Sequence, residues 1–261
     1  MRKMTVSVVM PVHNEEQYLP YSLPSLLKSP IDELVIILDR CTDKSEEIIL
    51  KTRFPFKVKI LFKHEQKWRC PTAEVFEYGF SHATGDLLYT MAADMIVDPK
   101  QFNVKLFEDA DLIAFFYYNY DLHHYKTRQW YLNFLKKHVN ISRIWKGKLA
   151  WQSGHMGFKR EVWETIHIRD VPSEYDDFQK RALQHGFRYK FVKNVNNLHL
   201  RVGLRKDRQM LQGMSRAQRN VHPLLVLGHC FLQMKPYVWT AYYYEKKYKV
   251  FKKRKWGKNG F

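Results

Sequence analysis

Asp94 ends a short, largely apolar run, Leu87-Leu88-Tyr89-Thr90-Met91-Ala92-Ala93, and is followed by Met95-Ile96-Val97-Asp98-Pro99. Gly85-Asp86 on one side and small residues on the other bound the stretch Leu87 to Met91, as they bound a buried strand. A carboxylate directly after such a strand stands at its carboxyl end, the edge where open α/β sheets bind ligands. There it can hold a divalent cation, Mg²⁺ or Mn²⁺, and the cation can hold a diphosphate. The alternative is that Asp94 caps a helix starting near Pro99. Asp98 turns the chain away in either case, because a residue before proline is pushed out of the α region.

The elements that must position this acid can be read in order. Thr5 to Met10 reads as a first strand, with a turn from Pro11 to Asn14. A helix is expected from Glu15 to Lys28, with Leu19, Leu23, Leu26 and Leu27 on one face and Pro20 and Pro24 interrupting it. Glu33 to Leu38 is a second strand that ends at Asp39, and Thr42-Asp43 can cap a helix from Lys44 to Arg53. Lys57 to Phe62 alternates like a half-exposed strand, and a helix from Thr72 to His82 leads into the central strand. This β-α-β-α order implies a mostly parallel sheet with helices on both faces.

Further on, Asp111 to Tyr118 is an aromatic strand, and Tyr125 to Val139 is helical, with Trp130, Tyr131, Phe134 and Leu135 on one broad face. Those aromatics can serve as core or stack on a sugar ring. Glu174 to His185 is a helix stopped by Gly186, Arg188 to Lys193 a last strand, and Asn196 to Arg201 a loop carrying His199.

The net charge is +18, and residues 201–261 hold 15 Lys and Arg against Asp207 and Glu245 alone, a net of +13. Such a segment seeks phosphates, on a membrane surface or on nucleic acid. Met210 to Arg219 reads as a basic helix, and Tyr237, Trp239 and Tyr242 to Tyr244 precede a tail running Lys252-Lys253-Arg254-Lys255-Trp256. Its apolar runs fall far short of the roughly 18 residues that cross a bilayer. Its composition is that of a segment lying in a membrane interface; a solvated tail is the alternative. Three cysteines with no metal-ligand spacing fit a reducing cytosol.

Four segments, Val6–Glu16, Leu34–Ser45, Gly85–Pro99 and Gly154–Arg160, resemble in order the motifs of the inverting family 2 glycosyltransferases. The resemblance covers residues 5–205 and implies the GT-A fold, an α/β domain that binds nucleotide sugars. It implies that residues 1–205 form the catalytic domain, and that residues 206–261 form a helical, basic, aromatic appendage that associates with membrane. Gly213 to Leu227 is similar to the tail of archaeal-type members, whose acceptors are often membrane lipids.

By resemblance, Pro11, Glu15 and Asp39 grip base and ribose, and Asp43 either joins them or caps its helix. Lys67 and Arg69 stand where the family often keeps a diphosphate contact, though a plain surface charge explains them as well. His199 is similar to a histidine that completes the metal site with an acid such as Asp94. The resemblance puts the catalytic base at Tyr175, so Glu174, Asp176 or Asp177 could substitute for it, or the acceptor could be a phosphate that needs no base; Asp177 to Arg181 matches the family's Asp-Leu-any-any-Arg.

Two departures stand out. Ala92 replaces the first carboxylate of the family's Asp-any-Asp, and Tyr175 falls at the family's base position. The implied reaction is transfer of a hexose from UDP- or GDP-sugar to a lipid-linked or glycan acceptor, with inversion. The expected place is the cytoplasm, peripheral to an anionic membrane surface at its inner face. The departures favour one rival, a non-catalytic sugar-nucleotide or glycan-binding module. A nucleic-acid partner is disfavoured, since the tail carries no such motif and the acid-ended strands would go unexplained. The glycine-rich turn of a nucleotidyltransferase is missing after Met10.

Overall fold

The computed structural model describes residues 4–119, 155–172 and 174–201, then 206–218, 220, 222–232 and 236–249. Eight strands form one sheet: β1 (Val6–Val12), β2 (Glu33–Asp39), β3 (Lys57–Lys63), β4 (Leu87–Thr90), β5 (Met95–Ile96), β6 (Leu112–Asn119), β7 (Met156–Lys159) and β8 (Tyr189–His199). Their spatial order is β3-β2-β1-β4-β7-β6-β8-β5. The helices are α1 (Leu19–Leu27), α2 (Ser45–Lys51), α3 (Pro71–His82), α4 (Arg160–Ile166), α5 (Glu174–Gln184), α6 (Lys206–Gln218), α7 (Pro223–Leu232) and α8 (Pro236–Tyr248).

β1 and β2 are apolar on both faces because both faces are covered. Val8, Met10, Leu34 and Ile36 face a core closed by Leu19, Leu23 and Leu26 of α1 and by Phe102 and Phe107. Val9, Val35 and Ile37 face the opposite core, closed by Phe76 and Phe80 of α3, Val162 of α4 and Phe178 of α5. The period of two sorts each strand cleanly between them.

The sheet is mixed, where the order of elements implies a mostly parallel one. β1, β2, β3 and β4 run parallel and β8 follows β6, but β7 is antiparallel to both β4 and β6, and β5 to β8. β7 is only four residues long, too short to show a period, and it fits because Gly157 lies against the Tyr89 ring. A Cβ there would come within 2.6 Å of Tyr89 Cε1.

Several boundaries also move. α1 starts at Leu19, four residues later than expected, with Pro20 in its first turn, and it runs on through Pro24, which does not interrupt it. Asn196 to His199 belongs to β8 and not to a loop. Its register against β6 shifts between Phe115 and Tyr117, so residues 193–196 form an irregularity in which Val195 stays buried among polar neighbours. Gly186 stops α5 with φ +85°.

Past Arg201, α6 and α8 pack on each other, with Val226 and Cys230 of α7 filling a small core beside Ala217, Val238 and Tyr242. The helix expected over Tyr125–Val139, with Trp130, Tyr131, Phe134 and Leu135, and the lysine-rich stretch Lys252–Trp256 lie outside the described residues.

Gly157→Ala should force Tyr89 out of its buried position and cost about 1–3 kcal/mol of stability. Chemical denaturation checks this, and an unchanged midpoint would show that β7 has room to spare.

Candidate active site

The four parallel strands end at one edge, and their loops are latched there. Asn14 takes φ +55°, turning the chain after β1. Its amide accepts from the Thr42 N–H at 2.8 Å, the Glu15 N–H donates to Ser45 Oγ at 2.7 Å, and the Glu16 N–H donates to Asp43 at 3.0 Å. Asp43 also accepts from the Ser45 N–H at 2.9 Å, so it ties α2 to the β1 loop.

Glu15 and Asp94 are both buried at this edge. Asp94 Oδ1 lies 3.3 Å from His199 Nε2, and its Oδ2 lies 3.3 Å from Arg201 Nε. Arg201 Nη2 pairs with Glu15 Oε2. The same guanidinium lies 4.5 Å from the centre of the Tyr18 ring. Burial works against its charge, but Asp94 and Glu15 outweigh burial and hold the guanidinium ionised. Asp94 caps no helix: Asp98 does so, accepting from the Lys100 N–H at 3.0 Å.

The Asp94 loop is fixed to the far side of the sheet by buried polar groups. The Leu200 N–H donates to the Asp94 carbonyl at 2.8 Å. The Asn197 side chain accepts from the Asp98 N–H at 2.8 Å and donates to Gln101 Oε1 at 3.1 Å. His155 Nδ1 donates to the Thr90 carbonyl at 2.9 Å, and its Nε2 lies 2.6 Å from the Gln101 side-chain amide. Burial pushes the His155 imidazole down to about 4.

The other expected residues form separate groups along the edge. Pro11 pairs with Ile37 in the β1–β2 register. Asp39 is held by Arg40 at 3.0 and 2.9 Å and lies 3.6 Å from Lys63, which in turn lies 3.3 Å from Glu74. Glu74 accepts from the backbone N–H groups of Lys67 and Trp68, so Lys67 enters through its main chain. Arg69 pairs with Asp170 at 3.2 Å. Glu174 is buried, and Cys70 Sγ donates to it at 3.4 Å. Burial, then the Glu174 charge, pushes the Cys70 thiol well up.

Asp177 meets Arg169 at 2.6 Å and Arg181 at 2.8 Å. Burial raises its pKa, but the two arginines outweigh that and hold it below the usual carboxylate range. Asp176 follows Tyr175 in the first turn of α5, and the Tyr175 ring packs edge-on against Phe76 at 5.8 Å.

The structure therefore brings Glu15, Asp94 and His199 together and adds Arg201, which the motif reading did not single out. Arg201 lies just past the end of β8, where the sequence reads as a loop, so no periodicity signalled it. Among the described residues no group of three or more His, Cys, Asp or Glu can hold a metal ion. Asp94 and His199 still fit one as a pair. Their 3.3 Å separation is near the roughly 3 Å between neighbouring ligands of a cation bound at about 2.1 Å.

The family description "Glycosyl transferase family 2" matches residues 7–166, which spans the latched loops, Asp94 and β7. The chain belongs to glycosyl transferase family 2. A probable glycosyltransferase of Sulfolobus acidocaldarius is 28% identical over 198 residues, 67% of this chain and 40% of the relative. The chain thus spans well under half of that relative's length.

Among solved structures, the mannosyltransferase PcManGT of Pyrobaculum calidifontis, in complex with GDP-Man and Mn²⁺, has a TM-score of 0.62 at 15% identity. The match covers 94% of this chain and 70% of PcManGT. TarS of S. aureus, in complex with UDP-GlcNAc, has a TM-score of 0.56 at 17% identity, covering 82% and 66%. At these identities the likeness is one of fold, and the fold is GT-A.

A histidine held near pH 4 removes stability as the pH falls from about 6.5, where the unfolded chain starts to take up the proton, to about 4, where the folded chain follows. His155 should therefore stay neutral in NMR titrations down to pH 5. A midpoint between 6 and 7 would mean that water reaches it.

Proposed function

We propose that this chain transfers a hexose from a UDP- or GDP-sugar to an acceptor hydroxyl, with inversion at the anomeric carbon. The observation that carries the reading is the convergence of Glu15, Asp94, His199 and Arg201 at the carboxyl edge of a family 2 fold. GDP-Man and UDP-GlcNAc in the two similar structures support a nucleotide-sugar donor.

Asp94 and His199 would hold Mg²⁺ or Mn²⁺, and a bound cation would neutralise charge growing on the departing diphosphate. Pro11, Glu15 and Asp39 are proposed to grip base and ribose. In the reaction the acceptor oxygen bonds to the anomeric carbon, the bond from that carbon to the diphosphate breaks, and the acceptor proton passes to a carboxylate. Asp177 is committed to two arginines, so Glu174 and Asp176 are the candidates for that base.

The acceptor side is proposed to face an anionic membrane surface in the cytoplasm. Leu224 is 69% exposed on α7 with Leu225 and Leu227 also exposed, and Tyr237, Tyr243, Tyr244 and Tyr248 are exposed on α8 beside Lys246 and Lys247. Glu245, one of the segment's two acids, is buried. Among the described residues no helix is long and apolar enough to cross a membrane. Apolar side chains ringed by lysines suit a surface that offers both acyl chains and phosphates.

Calorimetric titration with UDP- and GDP-sugars, with and without Mn²⁺, tests the donor reading. Asp94→Asn should abolish the gain from Mn²⁺ and weaken binding at least about tenfold, while the protein stays folded. Binding that is the same in parent and variant would remove Asp94 from the site. If donor binds but no sugar moves to any lipid or glycan acceptor, the chain is a binding module.

On vesicles containing anionic lipid, Leu224→Ser with Leu225→Ser should lower retention several-fold at low salt. Equal retention of parent and variant would put membrane contact elsewhere.

A further inference from the structure

Arg201 has three neighbours at once: Glu15, Asp94 and the face of Tyr18. Its side chain is 16% exposed, between carboxylates 11% and 4% exposed. Two buried acids this close favour a cation between them. Asp94 divides its oxygens, with Oδ1 toward His199 and Oδ2 toward Arg201. The position a divalent cation would take, between Asp94 and His199, therefore adjoins a guanidinium already bound to the same carboxylate.

A divalent cation entering alone would put two cations on the one Asp94 carboxylate. A cation entering with a nucleotide-sugar diphosphate brings its own counter-charge, because each cancels the other.

We propose that Arg201 is the site's resident counter-cation: it opposes a divalent cation that arrives alone, and it offers its guanidinium to the donor diphosphate when cation and donor bind together. The inference rests on the nucleotide-sugar reading for its second half only. An arginine suits the role better than a lysine, because its planar fork can bridge two carboxylates and then meet phosphate oxygens in the same orientation.

The test uses the full chain, with Mn²⁺ binding read from the free-ion EPR signal and UDP and GDP binding read by calorimetry. In the parent, Mn²⁺ alone should bind weakly and tighten about tenfold or more with UDP or GDP. Arg201→Met should bind Mn²⁺ alone several-fold tighter, bind the nucleotide at least about tenfold more weakly in Mn²⁺, and lose most of the coupling. Arg201→Lys keeps the charge without the fork; Mn²⁺ alone should stay weak while nucleotide affinity falls. It decides the matter should Arg201→Met fail to fold. Arg201→Met that binds Mn²⁺ no tighter and nucleotide no more weakly would overturn the proposal. If the parent binds neither nucleotide, the donor reading fails, and the Mn²⁺ arm still shows whether Arg201 opposes the cation.

Discussion

Glu15 and Asp94 reach the same guanidinium from different strands, and both are buried when they do so. Glu15 follows β1, Asp94 follows β4, and Arg201 follows β8, which lies across β7 and β6 from β4. Only the return of the chain through β5 closes the distance: Met95 pairs with His199, and the Leu200 N–H reaches the Asp94 carbonyl. The two-residue strand β5 therefore aligns the acids with their base. Breaking one buried partner of such a set costs about 3–5 kcal/mol, so the ion cluster and the β5–β8 pairing hold each other in place.

Carboxylates stand at both edges of the sheet. At the amino edge, Asp86 accepts from the Thr5 N–H and hydroxyl at 2.8 Å, Asp32 from the Val6 N–H at 2.8 Å, and Glu33 from Ser7 Oγ at 2.6 Å. Those acids satisfy backbone and hydroxyl donors of neighbouring strands and stitch the sheet. At the carboxyl edge the partners of Glu15, Asp39 and Asp94 include the side chains of Arg201, Arg40, Lys63 and His199.

Much of this was legible in the chain itself. The strands around Val8, Val35 and Leu88 are apolar runs that allow little else, and the acids that end them fall at the edge their strand direction dictates. What could not be read depends on contacts distant in sequence. β7 is four residues whose place rests on a glycine meeting a tyrosine ring from another strand. β8 hid behind the irregularity at residues 193–196, and with it went the register that turns His199 and Arg201 toward Asp94. Motif likeness found the acids but not the cation between them. Asp177, named among the possible bases, pairs with Arg169 and Arg181.

Methyl-labelled methionines test directly whether a divalent cation and a nucleoside diphosphate meet at Asp94 and His199 as proposed, since Mn²⁺ broadens resonances near it. Met91 and Met95 flank Asp94, whereas Met4 precedes β1 at the opposite edge, roughly 20 Å away for a strand of this length. With Mn²⁺ and UDP or GDP present, we expect the Met91 and Met95 signals to broaden and Met4 to stay sharp. Met91 and Met95 signals that stay as sharp as Met4 would contradict the claim.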